Sequence, residues 1–234
     1  MRGTVWLGCG SALDEEPLWR SILDRPRTRI LYWPFALPRE MLPSADGWLR
    51  GNLDRLGVDY ELVTWQGLAQ HAPSELCPGS TDLLFVGGGN TFRLLDEVRS
   101  HGFTRPIREF WRDGGDYYGG SAGAVLACES IAIAEGNDAN EPGLSDLTGL
   151  ALIAGVAVLP HFTDAQHASA SHWSSTHDTT VIGLPETMGV RCSAGIATAL
   201  GAGTVRRFAG DVVDEFAPGD SFQVSDRSWD DPPT

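Results

Sequence analysis

Twice in this chain a short β-rich apolar run ends in glycines and opens directly into a helical pattern. The two stretches are DLLFVGGGNTFRLL from Asp82 and DYYGGSAGAVLA from Asp116. This strand–turn–helix order constrains the fold more than any other feature. A strand that feeds straight into a helix does not return as a hairpin; its helix crosses a sheet face and the next strand comes back parallel. In such sheets the functional crevice lies beyond the carboxyl ends of the strands. Both glycine turns therefore belong on that edge.

The rest of the chain keeps the alternation. Thr4–Leu7, Arg29–Trp33, Tyr60–Thr64, Asp82–Val86 and Asp116–Tyr118 read as strands. Glu15–Leu23 with Asp14 as its cap, Trp48–Leu56, the stretch after GGGN through Arg99, and Arg105–Arg112 read as helices. From Ile153 onward the pattern turns β-like. The expectation is one α/β domain over residues 1–224, with a mostly parallel sheet covered on both faces. Residues 225–234, SDRSWDDPPT, read as a flexible polar tail.

Charge narrows the partners. Seventeen Lys and Arg against 31 Asp and Glu give a net charge of −14, which repels phosphate backbones and anionic lipid. No nucleic-acid or membrane partner is expected, and no apolar run approaches the roughly 20 residues needed to cross a bilayer. MRGTVWLGCGSALDEE lacks the pattern of a signal peptide. The four cysteines, Cys9, Cys77, Cys128 and Cys192, form no CxxC pair, which fits reduced thiols in a cytoplasm better than zinc or disulfides. Neither metal nor cofactor is expected. The partners considered are a small peptide substrate and a second copy of the chain, as a homodimer.

Gly119–Gly123 reads GGSAG, a G-x-S-x-G pattern between a strand and a helix. A nucleophile on so sharp a turn needs small neighbours, and the helix start favours a developing oxyanion. A plain small-residue turn is the competing reading. Gly87-Gly88-Gly89-Asn90 reads as a second oxyanion donor loop or as a tight strand–helix turn; a phosphate cradle lacks its lysine. A serine nucleophile needs a base and an orienting acid. Among six histidines, His161 ends the apolar run GVAVLP at the functional edge, whereas His71 and His101 read as surface residues. Glu135, Asp138, Glu141 and Glu186 are the candidate acids. His167, His172 and His177 recur every five residues, a spacing that spreads them around a helix, so they read as a polar loop and not as a metal face.

Together LLFVGGGNTFRLL, GGSAGAVLAC, LPHFTDA and VIGLPE, with ILYWPFA earlier, resemble peptidase family S51, the family of peptidase E (aspartyl dipeptidase) and the cyanophycinases. The blocks run in family order over about residues 2–215. The resemblance implies a three-layer α/β/α sandwich of the class I glutamine amidotransferase-like, flavodoxin-like kind. It makes Ser121 the nucleophile and His161 the general base. Asp138 takes the acid position, with Glu186 as a second acid, and Gly88, Gly89 and the N–H of Ala122 form the oxyanion hole.

One departure stands out. Aspartyl dipeptidases are expected to carry an arginine shortly after the histidine, yet no Arg or Lys lies between Phe162 and Pro185. Imidazole does not replace a bidentate guanidinium, which puts aspartyl specificity in question. The leading expectation is a serine peptidase hydrolysing dipeptides or small peptides through an acyl-enzyme on Ser121. The alternatives are a non-catalytic small-molecule-binding protein on the same scaffold and a cyanophycinase-like hydrolase.

Overall fold

The computed structural model describes residues 2–224; the expected tail at 225–234 lies outside the described residues. The chain opens with β1 (Val5–Gly8), α1 (Glu16–Ile22), β2 (Thr28–Trp33), α2 (Leu42–Leu56) and β3 (Tyr60–Thr64). It continues through β4 (Leu83–Val86), α3 (Thr91–Ser100), α4 (Thr104–Arg112), β5 (Asp116–Gly120) and α5 (Ala122–Leu126). β6 (Val156–Pro160), α6 (His167–His177) and β7 (Thr180–Leu184) follow. Then come β8 (Met188–Ser193), β9 (Ile196–Gly201), β10 (Val205–Ala209), β11 (Val212–Phe216) and β12 (Ser221–Gln223).

The main sheet runs β12-β9-β8-β1-β5-β4-β2-β3. Its five strands from β1 to β3 are mutually parallel, and β8, β9 and β12 extend it antiparallel. β1, β4 and β5 are buried at every position, as strands covered on both faces must be. One face packs on α1 and α2 through Leu18, Trp19, Leu49 and Leu53; the other packs on α3, α4 and α5 through Phe92, Leu95, Phe110 and Val125. This is the three-layer α/β/α arrangement.

Four details depart from the sequence reading. A second sheet, β11-β10-β7-β6, stands apart from the first, because β6 pairs with β7 and β7 with β10. α2 starts at Leu42, ahead of Trp48, since Pro43 sits in the first turn, where its missing N–H costs nothing. Asp14 does not cap α1; Glu15 occupies that position and makes no side-chain cap. The histidine-bearing segment is also a helix, α6, and not a loop. Its Ala/Ser composition holds no breaker, and it buries Ala170 and Ser174, whose Oγ donates to Phe208 O at 3.0 Å.

Candidate active site

β5 ends at Gly120, and Ser121 follows at φ 51° and ψ −109° before α5 begins. A non-glycine residue at such angles carries strain of ~1–3 kcal/mol. Hydrogen bonds hold it from both sides: Ser121 N–H donates to Gly8 O at 2.8 Å, and Ser121 O accepts from Ala124 and Val125 N–H at 2.8 and 3.1 Å. The GGGN turn abuts this elbow. A β-carbon on Gly88 would stand 3.0 Å from Ser121 Cβ, and one on Gly89, at φ 137°, would stand 2.2 Å from Ala36 O. Only glycine lets that loop approach so closely. Ala122 is the first residue of α5, so its N–H is among the helix-start donors without an intrahelical acceptor.

His161 directly follows β6, also at positive φ (57°). Its Nε2 lies 2.9 Å from Ser121 Oγ. Its Nδ1 is hydrogen-bonded to Oε2 of Glu186, two residues beyond β7. Serine, imidazole and carboxylate thus form one chain of hydrogen bonds, with the last two side chains about half exposed to solvent.

The four acids separate cleanly. Asp138 does not reach the imidazole: its Oδ2 accepts the Thr91 N–H at 2.8 Å, at the start of α3. Glu141 pairs with Arg93 at 2.7 Å, and Glu135 is exposed on a 3-10 turn over Ala132–Gly136. Glu186 alone among them meets His161. The α6 histidines stay outside this site. His177 stacks on Trp173 at 4.0 Å, His167 sets its ring edge against Phe208, and all three are exposed.

Two residues that sequence reasoning passed over adjoin this chain of hydrogen bonds. The buried Cys9 follows β1; its Sγ accepts the His161 N–H at 3.2 Å and faces Leu184 O and Pro185 O at 3.3 and 3.4 Å. Burial pushes its thiol pKa far up. Sγ, His161 and Glu186 bring three potential metal-binding atoms within 4.8 Å of one another. Both imidazole nitrogens are already hydrogen-bonded, Nδ1 to Glu186 and Nε2 to Ser121, which makes that a poor metal set. Below Cys9, the fully buried Glu15 accepts from Cys9 N–H, from Gly10 N–H (3.1 Å), from Tyr118 OH (3.0 Å) and from Trp19 Nε1–H (3.3 Å). Desolvation raises its carboxyl pKa to about 7, against the opposing pull of these donors. The signal was present in sequence: Cys9 stands at a strand's carboxyl end, on the same edge as the glycine turns.

A cavity of about 190 Å³ adjoins Ser121 on the α5 side, bounded by Ala122, Asp138, Pro160, His161 and Gln166 among others. No Lys or Arg lines it. The profile of peptidase family S51 matches residues 21–198, a span that holds the GGGN turn, Ser121, His161 and Glu186. The chain belongs to peptidase family S51. This S51 chain is 35% identical to peptidase E of Citrobacter koseri over 218 residues, 88% of each protein. It is 36% identical to peptidase E of Salmonella arizonae over 145 residues, which cover 57% of this chain and 61% of that one. Among solved structures, a peptidase from an acI-B1 Actinobacterium shares the fold with a TM-score of 0.67 at 19% identity, over 95% of this chain and 97% of that one. Cys9 and Glu15 lie ahead of the matched span. No helix among the described residues is long and apolar enough to cross a membrane.

Proposed function

We propose that this chain is a serine peptidase that hydrolyses dipeptides or other small peptides through an acyl-enzyme on Ser121. The observation that carries this reading is the pair of bonds on one imidazole: Nε2 to Ser121 Oγ at 2.9 Å and Nδ1 to Glu186. His161 takes the serine proton as Oγ attacks the scissile carbonyl, and Glu186 holds the ring in the required tautomer and offsets its charge. The tetrahedral oxyanion is received by N–H groups of Gly88, Gly89 and Ala122, each such donor being worth about 10²–10³ in rate. His161 then returns the proton to the leaving amine, and water repeats the sequence on the ester. Asp138 shapes the acyl cavity and anchors α3, and Glu186 serves as the triad acid.

Aspartyl specificity does not follow. The cavity beside Ser121 holds Asp138 and no cation, and α6 carries no Arg or Lys. A substrate carboxylate there would face a carboxylate. The same point counts against β-linked aspartyl polymers, the cyanophycinase-like alternative. Neutral dipeptides are the favoured class, and the four free thiols fit action in a cytoplasm.

A fluorophosphonate probe tests the reading. It should label the wild-type chain and leave Ser121→Ala unlabelled, with hydrolysis of a dipeptide panel abolished in the variant. Absence of labelling in the wild type would favour a binding protein on this scaffold instead.

A further inference from the structure

A second cavity lies on the other side of the GGGN turn. It measures about 300 Å³ and opens at the carboxyl edge of the main sheet. Its position follows from topology. β2 leads to α2 on one face, whereas β4 and β5 lead to α3 and α5 on the opposite face. Above the ends of β4 and β5, on the α2 side, no helix of their own covers the sheet. Crevices of this kind, where neighbouring strands send their helices to opposite faces, are where open α/β sheets take ligands.

The walls are aromatic. Tyr32, Phe85 and Tyr118 from three adjacent strands form the floor, and Met41 and Trp48 of the α2 region stand at the rim, 47% and 44% exposed. Gly88 and Gly120 complete the wall nearest the nucleophile, and both flank Ser121: Gly120 precedes it, and Gly88 touches it. The floor holds one polar group of note. Tyr32 is 2% exposed, yet its hydroxyl has no hydrogen bond among the described residues and sits beside Gly87. A mostly apolar pocket with a single unspent donor–acceptor suits a ring that carries one polar atom.

We infer that this cavity is the subsite for an aromatic side chain of the peptide substrate, tyrosine or tryptophan above all. The inference rests on the peptidase reading above and names its substrate class. The reacting carbonyl sits at Ser121, and the adjoining side chain passes over Gly88 into the aromatic crevice. One good apolar pocket discriminates by one to two orders of magnitude.

The test compares kcat/KM for Ala-Tyr against Ala-Gly and for Tyr-Ala against Gly-Ala. The expected result is a preference of at least about tenfold for the aromatic member in one of the two series. Ala45→Trp, which fills the cavity from α2, should reduce that ratio towards one; the ratio is taken within each variant, so a general loss of activity cancels. Ser44→Trp repeats the experiment from an exposed cavity-lining position should Ala45→Trp fail to fold. Calorimetric titration with p-cresol, a free side-chain mimic, needs no turnover. Binding to the wild type and not to the plugged variants, without any hydrolysis, would overturn the peptidase reading and the substrate role together while keeping the cavity as a ring-binding site. Hydrolysis with no aromatic preference, or a preference that survives both plugging variants, would overturn the inference alone.

Discussion

The sulfur of Cys9 accepts the main-chain N–H of His161 at 3.2 Å while facing Leu184 O at 3.3 Å. One buried side chain at the end of β1 thereby ties the ends of β6 and β7, from which the imidazole and its carboxylate partner project. His161 sits at positive φ, so its backbone needs such a hold.

Cys9→Ala should loosen that hold without touching a reacting atom. The expected outcome is a fall in kcat on the order of tenfold with KM little changed, below the ~10² that a full 1 Å misplacement can cost. Loss of stability should stay near ~1 kcal/mol, the usual worth of one hydrogen bond. Steady-state kinetics on a cleaved dipeptide checks it; an unchanged kcat would show that the sulfur does not position His161.

Glu186 and Asp138 are separated by a pair of isosteric amides. Glu186→Gln should lower kcat by about 10⁴, as expected when the group that fixes the imidazole tautomer is neutralised. Asp138→Asn keeps an oxygen for the Thr91 N–H and should cost less than roughly tenfold. The reverse ranking would move the triad acid to Asp138.

Glu15 makes stability depend on pH. Its folded pKa is about 7 against an ordinary 4.5, so the folded state favours the protonated form. That stabilisation is complete below about pH 4.5 and is lost as pH rises through 7, amounting to roughly 3 kcal/mol for a shift of this size. Urea denaturation at intervals from pH 5 to 8 should show the wild type losing stability relative to Glu15→Gln. Parallel curves for the two proteins would refute the assignment.

Cys77 should be the reactive thiol of the native protein. It is exposed, and hydrogen bonds from Ser80 lower its pKa, whereas burial pushes Cys128 and Cys192 up to about 12 and Cys9 higher. Native labelling with iodoacetamide should modify one residue and fall to none in Cys77→Ser. Mass spectrometry of labelled peptides decides it.

The strand–turn–helix units were legible because their signals are local. Glycines fit a close backbone approach, and the apolar run before each fits a strand buried on both faces. Ser121 and His161 stood out for the same reason, as each directly follows such a run. Glu186 could not be separated from Asp138, since sequence carries no information on which strand end folds over the imidazole. The second sheet was hidden likewise: β6 and β7 have the composition of any buried strand, and only the pairing of β6 with β7 and of β7 with β10 takes them out of the first sheet. Glu15 looked like a helix-start acid, and nothing local marks a carboxylate whose partners lie at Tyr118 and Trp19.

Ser121 follows a strand of the eight-stranded sheet, His161 follows one of the four-stranded sheet, and Glu186 lies in the connection that joins the two. Each sheet can be hydrogen-bonded within itself and still leave Ser121 apart from His161. Under the proposed mechanism, turnover gauges how the two sheets dock: during refolding, secondary structure should return first, and peptidase activity only when that seam closes.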